Sequence, residues 1–138
     1  MAESLAVKYR PQIFSEVCSQ TSTIKILERQ LELQKFTNCY LFTGPSGCGK
    51  TTLARIFGNE INNHEGSLIE IDGASNNGVD AVRDIIASAK TRSVDSKYKI
   101  FIIDECHAIS SAGWQAFLKC IEEPPMDTIF MFCTTDPQ

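Results

Sequence analysis

Eight residues leave this chain few folds to choose from: Gly44-Pro45-Ser46-Gly47-Cys48-Gly49-Lys50-Thr51. They follow the apolar run Cys39-Tyr40-Leu41-Phe42, a buried-strand pattern, and lead into Thr52-Leu53-Ala54-Arg55-Ile56-Phe57, which reads as helix. Strand, G-x-x-x-x-G-K-T loop and helix in immediate succession are the context a phosphate-binding loop requires. Glycines let backbone N–H groups curl around phosphate oxygens with no Cβ in the way. The unpaired amides and positive dipole end of the following helix favour the same anion. Lys50 can reach the β- and γ-phosphates, and the Thr51 hydroxyl can ligate Mg²⁺. The expected phosphate-cradling set is therefore Gly44, Pro45, Ser46, Gly47, Cys48, Gly49, Lys50, Thr51 and Thr52, and the expected ligand is a nucleoside triphosphate with Mg²⁺.

A length of 138 residues holds one domain with a real core, and is too short for two ordinary ones. Hydrophobic residues at 43% and charged residues at 22% are the proportions of a soluble globular protein. The net charge of −4 exerts no global pull toward nucleic acid, so any such binding needs a local basic patch or neighbouring subunits. The opening Met1-Ala2-Glu3-Ser4-Leu5 lacks the apolar core of a signal peptide, and no run approaches membrane-spanning length. A cytoplasmic location with no membrane partner is the expectation. Cys18, Cys39, Cys48, Cys106, Cys120 and Cys133 are scattered, with no C-x-x-C pair. They read as reduced, mostly buried thiols rather than a metal site.

Strand and helix patterns alternate along the chain. Arg10-Pro11-Gln12-Ile13-Phe14 reads as extended. A helix capped by Thr21 or Ser22 carries Ile24, Leu27 and Leu31 on one stripe and runs to about Gln34. After the phosphate-loop helix come a strand at Leu68-Ile69-Glu70-Ile71, a loop from Gly73 to Gly78, and a helix with Val79, Val82, Ile86 and Ala89 in one line. Lys99-Ile100-Phe101-Ile102-Ile103-Asp104 has the continuous apolar character of a central parallel strand. Ser110 or Ser111 caps a helix carrying Trp114, Phe117, Leu118 and Ile121, which Pro124-Pro125 stops. Thr128-Ile129-Phe130-Met131-Phe132-Cys133 is a fourth buried strand. The alternation predicts a three-layer α/β domain with a mostly parallel sheet.

The strand ending in Asp104-Glu105 supplies what a phosphate loop needs beside it. Asp104 is assigned to the metal, held through water, and Glu105 to the general base that orients the attacking water. His107 completes an Asp-Glu-Cys-His string similar to the D-E-x-H box of superfamily 2 helicases, but the short interval between the boxes leaves little room for the other motifs of such enzymes. His107 thus reads as a support for the site or the fold rather than as a ligand. The fourth strand ends at Thr134-Thr135-Asp136, where hydroxyls could align the water at the γ-phosphate; such a turn is also an ordinary strand end.

Taken in order, Val7-Lys8-Tyr9-Arg10-Pro11-Gln12, Phe14-Ser15-Glu16-Val17, the phosphate loop, Leu68-Ile69-Glu70-Ile71-Asp72, Ile103-Asp104-Glu105-Cys106-His107, Leu118-Lys119-Cys120-Ile121-Glu122-Glu123-Pro124-Pro125 and Thr134-Thr135-Asp136-Pro137-Gln138 span nearly the whole chain. Together they resemble the AAA+ motor domain of bacterial DNA polymerase III tau/gamma (DnaX-like) subunits, the ATP-driven part of the sliding-clamp loader. The resemblance implies a P-loop NTPase fold of AAA+ type and ATP hydrolysis with Mg²⁺. Its site residues would be Arg10, Pro11, Val17 and Cys18 around the adenine, Lys50 and Glu105 in catalysis, and Thr135 as sensor 1. It further implies partners: other clamp-loader subunits, the sliding clamp, and primer–template DNA in the assembly. Arg83 and the cluster Lys90, Arg92, Lys97 and Lys99 could approach that DNA backbone or form an ordinary solvated face.

Two departures from the family pattern matter. Gly58 to Ser67 is too short for the four-cysteine zinc module that bacterial members carry, so no zinc is expected. The chain also stops at Gln138, before the arginine-finger segment, the fifth strand, the lid and the collar. Residues 1–138 are thus expected to form one incomplete nucleotide-binding domain, truncated before the fifth strand. The strand before the phosphate loop is then left as a sheet edge, and ATP binding and turnover by the chain alone should be weak. Two other functions stay open. One is a different AAA+ DNA-processing ATPase, for branch migration or helicase loading, against which the Glu-Glu-Pro-Pro helix end argues. The other is a catalytically silent ATP-binding assembly module.

Overall fold

The computed structural model describes residues 21–43, 49–91 and 96–135, with side chains described from Ile26 onward. In chain order the elements are α1 (Thr21–Leu33), β1 (Cys39–Thr43), α2 (Lys50–Ile61), β2 (Ile69–Asp72), α3 (Val79–Ala89), β3 (Lys99–Asp104), a 3-10 turn (Cys106–Ala108), α4 (Ser111–Glu122) and β4 (Thr128–Thr134). The elements match the predicted alternation, and the strands pair in the order β1-β4-β3-β2, all parallel. β1 is an edge of the described sheet.

Strand alternation sorts the core into two layers. Ile100, Ile102, Ile129, Met131 and Cys133 face one side, where Leu27 of α1 and Leu53, Ala54, Phe57 and Ile61 of α2 cover them. Phe101, Ile103, Phe130 and Phe132 face the other, against Val82 and Ala89 of α3 and Phe117 of α4. Every residue of β4 is buried, as its unbroken apolar run demands of a strand covered on both faces. On the α3/α4 side the aromatic rings interlock: Phe101 stacks on Phe130 at 5.2 Å between centroids, and Phe117 meets Phe132 edge-on at 5.3 Å.

Local chemistry fixes the element ends. Ser110 caps α4, its hydroxyl accepting from the Gly113 amide at 3.1 Å. Of the two candidate caps it is the one used. At the far end of α3, Lys99 donates its ammonium to the carbonyls of Ser88 and Thr91, placing a cation where the helix end favours one. The Asn62 side chain imitates a strand partner: Nδ2 donates to the Tyr98 carbonyl at 2.9 Å, and Oδ1 accepts from the Tyr98 amide at 3.0 Å.

Candidate active site

In a parallel sheet all strands end at the same rim, and ligands bind in the crevice beyond those ends. Here β1 ends at Thr43, β3 ends at Asp104, and β4, ending at Thr134, lies between them. Thr43 and Thr134 are register partners across β1 and β4, as are Asp72 and Asp104 across β2 and β3. The end of β1, the acidic pair and the strand-4 end therefore share one rim.

Gly49 has φ 72° and ψ 24°, a left-handed conformation that a side chain would strain, and it opens α2 without any side-chain cap. Lys50, Thr51 and Thr52 follow as the first helical turn, whose amides have no carbonyl partner inside the helix. The arrangement suits an anion. Gly44, Pro45, Ser46, Gly47 and Cys48 lie outside the described residues, as do Arg10, Pro11, Val17 and Cys18, expected at the adenine, and Arg92 and Asp136.

Alternation along β3 puts the Asp104 side chain on the face that carries Ile100, Ile102 and α2. The buried thiol of Cys133, on the same face of β4, marks where the groups meet. Burial pushes it from the ordinary 9.0 up to about 12; the Asp104 carboxylate adds to the rise, while a hydrogen bond with Thr51 and the Lys50 ammonium oppose it. Cys133 thus lies beside Thr51, with Asp104 and Lys50 within electrostatic reach. Those residue types fit Mg²⁺ and a polyphosphate: a hydroxyl and a carboxylate as hard oxygen donors, with a cation and free amides beside them.

Glu105 leaves the strand in the left-handed region, at φ 53° and ψ 41°. Its amide donates to Asp104 Oδ1 at 3.0 Å, and its Oε2 lies 3.5 Å from His107 Nε2. His107 Nδ1 is 2.8 Å from the Thr134 hydroxyl, and Thr134 is buried. Thr135 follows β4 directly and is half-buried.

Three contributors carry no motif. Gly73 donates its amide to the Asp104 carbonyl at 2.7 Å, so the loop after β2 lies hard against the acidic turn. Its only sequence signal is a glycine directly after a strand end. Arg55, one turn along α2, makes paired 2.8 Å bonds to Glu70 of β2, and this partner chiefly, with Asp104 adding, raises its pKa. Cys133 reads in sequence as core filler. In the basic cluster, Lys99 is engaged by the end of α3, Lys97 lies 5.4 Å from the Tyr98 ring centre, and Arg83 pairs with Asp80 at 3.6 Å.

Comparison with known proteins follows the same lines. Residues 40–138 match the family model described as ATPase family associated with various cellular activities (AAA). The chain is 41% identical to DNA polymerase III subunit tau of Bacillus subtilis over 94% of its own length and 27% of that protein's. It thus spans about a quarter of that curated relative. Its fold is similar to a DNA polymerase III gamma subunit-related protein of Thermotoga maritima, at TM-score 0.66 and 20% identity over 79% of this chain and 39% of that one. It is also similar to the Thermotoga maritima RuvB Holliday junction branch migration motor, at TM-score 0.62 and 22% identity over 87% of this chain and 40% of that one. Among the described residues no helix is long and apolar enough to cross a membrane.

Proposed function

Because the chain belongs to the ATPase family associated with various cellular activities, we propose that residues 1–138 are the nucleotide-binding part of a cytoplasmic clamp-loader motor. In this reading the chain binds and hydrolyses ATP and couples it to opening a sliding clamp and setting it on primer–template DNA, together with other clamp-loader subunits. Identity to a tau subunit across nearly the whole chain favours this reading over a branch-migration motor, with which only the fold is shared.

What supports the site is the shared rim: α2 opens at Lys50 and Thr51, β3 ends at Asp104, and Cys133 of the strand between is placed near both by its electrostatics. Lys50 and the amides of Gly49, Thr51 and Thr52 hold the β- and γ-phosphates, and Gly44 to Cys48 complete the cradle. Thr51 and Asp104 would hold Mg²⁺, which when bound neutralises charge developing on the phosphate oxygens. Glu105 orients and deprotonates the attacking water, Thr135 senses the γ-phosphate, and Arg10, Pro11, Val17 and Cys18 enclose the adenine. No role falls to zinc.

Fluorescent-nucleotide binding and single-turnover hydrolysis, with and without partner subunits, clamp and primed DNA, test this. Lys50→Ala should lose nucleotide affinity, whereas Glu105→Gln should retain ATP yet abolish turnover. Hydrolysis unchanged by both substitutions in the assembled complex would refute the assignment, and recovery of a helicase without a clamp would refute the partner.

A further inference from the structure

We propose that His107 is a positioning residue that ties the Glu105 carboxylate to the end of β4; the proposal rests on the nucleotide-site reading above. The imidazole links the turn after β3 to the end of the neighbouring β4. Its Nδ1 meets the Thr134 hydroxyl at 2.8 Å, and its Nε2 faces Glu105 Oε2 at 3.5 Å. Thr134 is rigidly held: it is buried, ends the fully buried β4, and pairs in register with Thr43, the residue before the phosphate loop. Glu105 by contrast is about half-exposed, in a left-handed conformation just beyond its strand, with a flexible side chain. A tether from the fixed group to the loose one restricts where the carboxylate can go.

The hydrogen-bond order gives the tether a direction. Glu105 offers a carboxylate oxygen, an acceptor, to Nε2, so the ring hydrogen belongs on that nitrogen and Nδ1 accepts from the Thr134 hydroxyl. His107 sits in the 3-10 turn closed by the Ala108 amide on the Glu105 carbonyl at 3.0 Å, so ring and carboxylate are borne by one short piece of backbone. A shift of the β4 end relative to the phosphate loop therefore reaches Glu105 through the imidazole.

Two measurements test the proposal on the intact protein. The chain has two histidines, so ¹⁵N spectra of His64 and His107 separate readily. His107 should show the Nε2–H tautomer, and Thr134→Val should weaken that preference. In single-turnover assays, His107→Ala should slow hydrolysis about 10-fold with nucleotide affinity unchanged, the cost of a sub-ångström loss of placement. His107→Asn keeps an amide near the Nδ1 position and His107→Gln near Nε2; since both links are needed, neither should restore the rate. In the Glu105→Gln background, His107→Ala should have no further effect. Unchanged turnover in His107→Ala, or equal losses of rate, affinity and melting temperature, would overturn the tether. If the tautomer responds to Thr134→Val in a protein that binds no nucleotide, the tether stands and the ATPase reading falls.

Discussion

Gly73→Ala tests whether the acidic turn is held in place by the loop after β2. A Cβ built on Gly73 would lie 2.7 Å from the Asp104 carbonyl oxygen and 2.9 Å from that of Glu105. Ordinary C···O contacts begin at about 3.3 Å, so the turn must retreat by roughly half an ångström. Both obstacles are backbone, and neither can rotate away as a side chain would. The retreat also stretches the 2.7 Å bond from the Gly73 amide to the same Asp104 carbonyl. Overpacking of this kind costs about 1–3 kcal/mol, and weakening one hydrogen bond about 1 kcal/mol. Stability should fall by about 2–3 kcal/mol in urea unfolding. If a 1 Å misplacement costs about 100-fold in rate, half that distance should slow single-turnover hydrolysis about 10-fold. Nucleotide affinity should hold, because the atoms nearest the new Cβ are backbone of Asp104 and Glu105 rather than of α2. The control is Gly78→Ala, where nothing lies within 4 Å of the new Cβ and φ is −87°; it should stay within about 0.5 kcal/mol of the parent. Gly73→Ala matching Gly78→Ala in both assays would refute the contact and the role assigned to it.

Two further outcomes follow from the packing and the thiols. Phe117 is fully buried and meets the rings of Trp114, Phe130 and Phe132, so Phe117→Ala should cost about 3–5 kcal/mol in urea unfolding. Cys133 and Cys106 have folded pKa values raised by burial from 9.0 to about 12 and about 11. The folded state therefore binds more protons than the unfolded state above pH 9, and stability present below pH 9 should decline as pH rises through that window. Urea midpoints at pH 8 and pH 10.5 check this: Cys133→Ala should flatten the alkaline decline, and a midpoint that rises with pH would contradict it.

The element pattern was legible because each signal is local. The apolar runs of β3 and β4, the stripe of Val82 on α3, and Ser110 before α4 each constrain the residues around them. The same holds for the glycine before Lys50, where loop chemistry demands a residue free to take positive φ. What stayed hidden is non-local. Cys133 reads as a small hydrophobe until the register of β4 against β1 brings it to Thr51. Lys99 reads as part of a surface cluster, yet its ammonium closes a helix eleven residues back from it in sequence. Glu105 carries no local mark of positive φ either; only the crowding of Gly73 against its carbonyl shows how closely that turn is built.

The parity of the strands also explains how the rim divides its work. Ile100 and Ile102 lie toward α2, so Asp104, two residues on, does too, as does Cys133. Phe130 and Phe132 lie toward α3 and α4, so Thr134 emerges on the opposite face, and His107 meets it there. In the proposed reading, phosphate and metal chemistry belong to the α2 face, and the support for Glu105 comes from the α4 face. Had Glu105 continued the strand, alternation would have left its side chain wholly on the α4 face, away from Asp104. The left-handed turn breaks the alternation at that residue, which in the proposed reading lets one carboxylate be held from one layer and act in the other. A position reached at such backbone cost depends on neighbours from both layers. Gly73 on one flank and His107 on the other are thus the substitutions that should separate catalysis from nucleotide binding.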